Sequence, residues 1–409
     1  MPSALPPIED RSSRKIAMPL PLLALCLAAF SIGTSEFVIA GILPALASDI
    51  GITIPSAALL VSLYALGVAI GGPLLATFTG RYAKKHLLLT FVGIFTIGYV
   101  GCALAPNYGV LLGMRLAISM IHGAYFGAAM VVATTLVEEK RRGFAVGLIL
   151  AGLTVANIVG VPLGTAIGTH FGWRATFWTV AAMGAISFAA IAVLLPFERA
   201  QAAGARTSFL AEVKALGREP VYSSLAIIIL QTVGQFAFFT FISPFLTGIS
   251  GVSIDTVPWL LLLSGVGSTI GVLLGGRLAD WNLMGSLTGI LVLEVLAYLL
   301  ILVFETSPIA MGVLMLVWGA VVFGFSASVQ TRILNNTRDA PTLAANLIPS
   351  AFNIAIAIGA GLGGAMIDGG VSYGVLPWVG VVGAVLSVGV ALASWRVLHQ
   401  RLRATVPLA

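Results

Sequence analysis

Twelve runs of about 20 or more apolar residues follow one another along this chain, each long enough to cross a ~30 Å hydrocarbon core as an α-helix. They lie near 19–47, 56–79, 86–105, 108–136, 142–169, 173–197, 220–248, 255–279, 283–304, 308–331, 342–368 and 372–397. Membrane barrels use short alternating segments, so continuous runs predict helices and not strands. Of the 409 residues, 59% are hydrophobic and 9% charged, against roughly 25% charged in a soluble domain. Too few charges remain to clothe a water-facing surface, so lipid is the solvent. The polar start, MPSALPPIEDRSSRK, precedes a first run too long for a signal-peptide core and reads as the approach to a retained anchor.

The basic residues orient the spans. If both termini are cytoplasmic, nineteen of the 21 Lys and Arg fall on the inner side, Arg174 lies outside and Arg115 lies within a span. The positive-inside rule selects this topology, and the net charge of +6 is then a topology signal and not a nucleic-acid footprint. Cys26 and Cys102 sit in different apolar runs and read as packing thiols.

The longest hydrophilic break, ERAQAAGARTSFLAEVKALGRE at 198–219, divides the spans six and six. The halves also echo each other: FVIAGILP ending at Pro44 matches AFFTFISP ending at Pro244, AIGGPLLA matches LLGGRLAD, and HGAYFG matches WGAVVFG, with Asn157 facing Asn353. Four matches in the same order predict a duplicated unit, the pattern of transporters with a site between two halves. The expected architecture is an all-α membrane protein of two pseudo-symmetric six-helix bundles, residues 1–197 and 220–409, joined by a cytoplasmic linker.

Within the spans, ionisable residues are few: Glu36, Arg115, His122 and Glu294. Such side chains are costly in hydrocarbon, about 2.5–3.5 kcal/mol on insertion scales, and are commonly functional. Glu36 has no other acidic or basic neighbour between Lys15 and Asp49. At 1.5 Å per residue it lies about 16 Å from the outer end of its helix, while Arg115 and His122 lie about 10 and 20 Å in from theirs. Arg115, Ser119, His122 and Phe126 share one helical face. Two readings stay open for Glu36: a buried proton site, or a structural ion-pair partner of Arg115. Arg115 reads equally as architecture, and His122 as a packed core histidine. Glu294 stands mid-span, away from any polar cluster in sequence.

Neutral polar and aromatic residues at mid-depth suggest a substrate-binding cavity: Gln231 and Gln235 on one face of the seventh run, with Phe238 and Phe239 beside them, then Asn157, Asn353 and Trp318. Interhelical hydrogen bonding is the structural alternative for each. The glycine-rich fifth run, with Gly160, Pro162 and Gly164, predicts a tight, bendable seam between the halves. The chain contains no GxxxxGK[ST] phosphate loop, no HExxH or other dense metal-ligand cluster and no recognisable nucleophile–base–acid motif. Enzyme activity, a metal and a cofactor are therefore not expected.

Twelve spans, the duplication and the central loop resemble the major facilitator superfamily. GTSEF, HGAYFG and GWRATF resemble the bacterial drug/proton antiporters, nearest the arabinose and sugar efflux permeases. The fifth run is similar to that group's antiporter motif at Gly147, Gly160 and Gly164, with Ala156 replacing a glycine and Pro162 one place late. In the loop GRYAKK, Gly80 and Ala83 stand where the superfamily has Asp and Gly, while Arg81, Lys84 and Lys85 keep its basic character. The second-half copy, GGRLADW, retains its acid as Asp280. The resemblance implies rocker-switch exchange of protons for a small molecule by a monomer. Glu36 would carry the proton, Arg115 and His122 would tune it, and Arg81, Lys84, Lys85 and Asp280 would gate the cytoplasmic side. An importer or uniporter on the same fold, or a non-transporting membrane sensor, are the other expectations.

Overall fold

The computed structural model describes residues 20–79, 82–196, 217–337 and 341–405. Arg81 and residues 198–216 of the linker lie outside the described residues. Twelve helices among them are long and apolar enough to span a membrane: α1 Leu20–Ile50, α2 Ile54–Leu75, α3 Lys84–Ala103, α4 Tyr108–Thr135, α5 Glu139–Phe171, α6 Trp173–Leu194, α7 Glu219–Phe239, α8 Ile254–Trp281, α9 Leu283–Val303, α10 Pro308–Asn336, α11 Leu347–Asp368 and α12 Tyr373–Leu398. No strand occurs among the described residues. The protein is a multi-pass, all-α membrane protein.

Glycines set the closest helix contacts, and they do so alike in both sets of six helices. A Cβ on Gly71 of α2 would fall 2.2 Å from the Met120 Cα of α4, and one on Gly123 would fall 2.7 Å from the Val68 carbonyl. On α8, Gly267, Gly271 and Gly275 stand against the carbonyls of Leu316, Ala320 and Gly324 of α10. These glycines recur every four residues, so one face of α8 is bare backbone and α10 lies directly on it. The second and fourth helices of each six are thus joined by the same device.

Contacts between the first six helices and the last six follow two seams. On one, Ser62 of α2 donates to the Ala357 carbonyl of α11 at 2.7 Å, and Ser350 donates back to the Ala69 carbonyl at 3.3 Å. On the other, Gly265 of α8 abuts α5, where an added Cβ would lie 2.4 Å from the Asn157 carbonyl and 2.8 Å from the Ile158 Cα.

Two helices depart from the expected regularity. The seventh run ends as a helix at Phe239, and a separate short helix, Ile242–Gly248, carries the chain on. Pro244 lacks the N–H that would bond the Thr240 carbonyl, so an uninterrupted helix would leave that carbonyl unpaired. In α5, residues Ala156–Gly160 form a π-helical turn directly before Pro162. Proline removes the bond to the Ile158 carbonyl, and the wider turn absorbs the defect. The glycines of α5 face α1 within the same six helices and do not form the seam between halves. A Cβ on Gly160 would lie 2.0 Å from Thr34 Oγ1, one on Gly164 2.6 Å from Val38 Cγ2, and one on Gly152 2.5 Å from the Cys26 carbonyl. The π turn rotates Asn157 toward α8 instead.

One end of the bundle is acidic and tied by Asp49, which accepts from Trp173 Nε1 at 2.8 Å and pairs with Arg174 at 2.5 Å. At the basic end Lys85 is buried. Its ammonium donates to the Ala192 and Leu195 carbonyls at 2.7 and 2.5 Å, satisfying the C-terminus of α6. Lys85 thus serves the packing of α3 on α6. Arg332 pairs with Glu219 at 3.2 Å and with the hydroxyl of Ser394.

Gly271→Val is expected to force α8 and α10 apart and destabilise the protein by roughly 1–3 kcal/mol. A depressed unfolding temperature in detergent checks this. Gly276→Val, where an added Cβ meets nothing within 4 Å, is expected to leave that temperature unchanged.

Candidate translocation site

α1 is buried nearly all round, with Ser31 through Glu36 all in the interior. A helix in that position has no lipid-facing side on which to put a polar group, so every polar side chain it carries must find protein or water. Ser31 and Thr34 bond back to the carbonyls one turn earlier, and Ser35 donates to the Ile32 carbonyl at 2.7 Å. Glu36 has no such local solution.

Arg115 enters this region from α4 and does not pair with Glu36. Its Nε donates to the Leu60 carbonyl of α2 at 3.2 Å. Its Nη1 donates to the Ser35 carbonyl at 3.3 Å and to the Tyr99 hydroxyl of α3 at 3.2 Å. The guanidinium also lies 4.4 Å over the Tyr64 ring. One buried side chain on α4 therefore ties α1 and α2 through main-chain carbonyls and α3 through a hydroxyl. The group closest to Glu36 is His122, with Nε2 3.9 Å from the carboxylate. On the other side of that ring, Nδ1 meets the Tyr64 hydroxyl at 3.2 Å, and Phe126 packs against its face at 5.3 Å. Depth agrees with the helix arithmetic: the Ser35 carbonyl reaches Arg115 and the Glu36 carboxylate reaches His122.

Glu36 and His122 form part of the wall of a cavity of about 770 Å³ between the two sets of six helices. The cavity runs to Thr79 and Lys84, so it opens at the basic end. Its wall is dominated by apolar groups, including Phe37, Phe126, Phe236, Phe323, Phe325 and Phe352, with Thr232, Gln235, Ser326 and Asn353 as neutral polar points. Glu36, His122 and, at the mouth, Lys84 are its ionisable lining residues. Size and lining suit a small amphipathic molecule. Beyond Phe37 and Phe236, whose rings meet at 6.0 Å, lies a pocket of about 20 Å³ lined by Asn157, Gln235, Phe239, Ser264 and Ser268. The two phenylalanines border both spaces and separate them.

The residues expected to bind substrate divide accordingly. Gln235 and Asn353 line the main cavity, and Gln235, Asn157 and Phe239 line the small pocket. Gln231, Phe238 and Trp318 stand behind the wall. Phe238 packs edge-on against Trp318 at 5.5 Å, Phe239 stacks on the same indole at 6.0 Å, and Gln231 bonds to Glu294. Glu294, distant from any polar cluster in sequence, gains one in the fold: α7 brings an amide to it. Asp280 is exposed at the end of α8. Tyr64, Tyr99 and Phe37 were not singled out from sequence. The two tyrosines carry a signal that could have found them, a phenol that must bond to something inside an apolar helix.

The Major Facilitator Superfamily profile matches residues 25–345. Over 376 residues, 92% of this chain and 96% of the relative, the chain is 38% identical to the inner membrane transport protein YdhP of Escherichia coli. It is 33% identical to a chloramphenicol resistance protein of Streptomyces lividans, covering 84% of this chain and 88% of that one. It is 32% identical to the putative transporter AraJ of Escherichia coli, covering 86% and 89%. Among solved structures, a bacterial homolog of the human lysosomal transporter Spinster superimposes with a TM-score of 0.72 over 93% of this chain and 98% of that one, at 18% identity. Twelve spans, one central cavity and these relatives agree: the chain belongs to the Major Facilitator Superfamily of transporters.

Proposed function

We propose that this transporter exports a small, largely neutral amphipathic molecule in exchange for protons, and that Glu36 is the proton carrier. The observation that carries the reading is that Glu36 shares a cavity wall with the substrate space while Arg115 directs its hydrogen bonds to the Leu60 and Ser35 carbonyls and the Tyr99 hydroxyl and makes none to the carboxylate. A buried carboxylate without a cation is strongly disfavoured, so proton binding is how its charge is cancelled. Cargo entering the cavity changes the water and dipoles around the carboxyl, and the proton leaves or binds with it. His122, held by Tyr64, is the neighbour that receives or steers that proton. Gln235, Asn353 and the phenylalanine wall bind the cargo.

The basic end is read as cytoplasmic from the positive-inside rule, which puts both termini inside and makes the cavity inward-facing in a bacterial inner membrane. The two six-helix units, 1–197 and 220–409, rock about the two seams, with Phe37 and Phe236 as the barrier between cavity and exit. The unit is a monomer. A relative named for chloramphenicol resistance supports export of an antibiotic-like compound.

Inside-out vesicles with an acid interior test the exchange. Chloramphenicol, sugars and nucleosides are added in turn, and a cargo compound is expected to discharge the gradient in wild type. Glu36→Gln is expected to insert at normal levels and lose that discharge; undiminished discharge in the variant contradicts the assignment. Arg115→Gln, by contrast, is expected to act on folding. Losing the charge-assisted bonds to Leu60, Ser35 and Tyr99 removes the tie from α4 to α1, α2 and α3 and costs about 1.5–3 kcal/mol, which appears as a lower unfolding temperature and lower membrane yield.

A further inference from the structure

The second buried acid, Glu294, has a built environment that the exchange described above does not use. It lies on α9 with no exposed surface. Gln231 of α7 donates to its Oε1 at 3.0 Å, while Oε2 is buried and makes no hydrogen bond among the described residues. Thr232 donates to Gln231 Oε1 at 3.1 Å, which fixes which end of the amide points at the acid. The two hydrogens of the Gln231 amide serve three acceptors: Glu294 Oε1 at 3.0 Å, the Val322 carbonyl at 3.2 Å and Gln235 Oε1 at 3.4 Å. Those three compete.

Two members of this set reach the main cavity: Thr232 and Gln235 both line it. The acid is therefore one amide behind the cargo space. Among the described residues no cation opposes it. On α9 itself the titratable neighbour is Tyr298, one turn on. α7 presents Gln231 and α10 the Val322 carbonyl. α8 carries Arg277 and Asp280 only at its exposed end, α10 carries Arg332 bound to Glu219, and α12 carries Arg396 near its far end.

We propose that Glu294 is a second proton-binding site, placed in the C-terminal six helices and coupled to the cavity through Gln231 and Gln235. The proton resides on Oε2, the oxygen that Gln231 leaves free, and exchanges with cavity water; no covalent bond other than O–H forms or breaks. Cargo that draws Gln235 away releases an amide hydrogen of Gln231 to the acid, and a carboxylate that gains a donor holds its proton less tightly. Each half then contributes one carboxyl, Glu36 exposed to the cavity and Glu294 screened from it. The fully enclosed position favours a proton over a cationic group of the cargo, for which the site has no room.

Infrared difference spectra of the purified full-length protein between about pH 5 and about pH 10 test this, because protonated carboxyls absorb apart from carboxylates. Wild type is expected to lose two protonated-carboxyl bands on alkalinisation. Glu294→Gln is expected to lack one of them, halving the change, while Glu36→Gln lacks the other. A Glu294→Gln spectrum that superimposes on wild type overturns the proposal and leaves Glu36 untouched; an unchanged Glu36→Gln spectrum counts against Glu36 alone. If Glu294→Gln does not fold, Glu294→Asp is expected to shift the same band, and an unshifted band also overturns the proposal.

Discussion

An arginine buried beside a glutamate would ordinarily neutralise it. Here the guanidinium of Arg115 bonds to the Leu60 and Ser35 carbonyls and the Tyr99 hydroxyl, and stacks on Tyr64. That choice of partners locks α1 to α4 into one block and leaves the adjacent carboxyl to the cavity. A paired Glu36 would be a fixed ionic crosslink whose rupture costs several kcal/mol. On the proposed reading, an unpaired one exchanges its charge with the surroundings, and rigid framework and responsive acid come from one arrangement, the main chain of Ser35 and the side chain of Glu36 serving different tasks.

Packing around that block uses a different device within the units than between them. Within each set of six helices, glycine faces bring backbones together, as between α2 and α4 and between α8 and α10. Between the sets, α2 packs along α11 with hydroxyl–carbonyl bonds from Ser62 to Ala357 and from Ser350 to Ala69, and α8 packs on the π turn of α5 at Gly265.

Much of this was legible in the sequence, because hydropathy and charge act locally. All twelve spans and the depth of Glu36 between Arg115 and His122 follow from run length and rise per residue. What was not legible depends on which helix lies opposite. The α5 glycines read as a seam between halves, yet α1 occupies that face. Lys85 read as part of a gate, yet it caps α6. Glu294 looked isolated because Gln231 is 63 positions away in the chain. The break after Phe239 carried a local signal in Pro244, but Pro44 sits inside an unbroken α1. A proline alone therefore does not decide between a kink and a break.

Proton release on cargo binding tests the central claim most directly. Purified wild type and Glu36→Gln are held in weakly buffered detergent with a pH indicator. Each then receives a compound that raises the unfolding temperature of both. The account predicts that wild type releases protons as the compound binds and that the variant binds the compound with its release reduced by the share Glu36 contributes. Equal release from both proteins, or binding to wild type with no release, would contradict it.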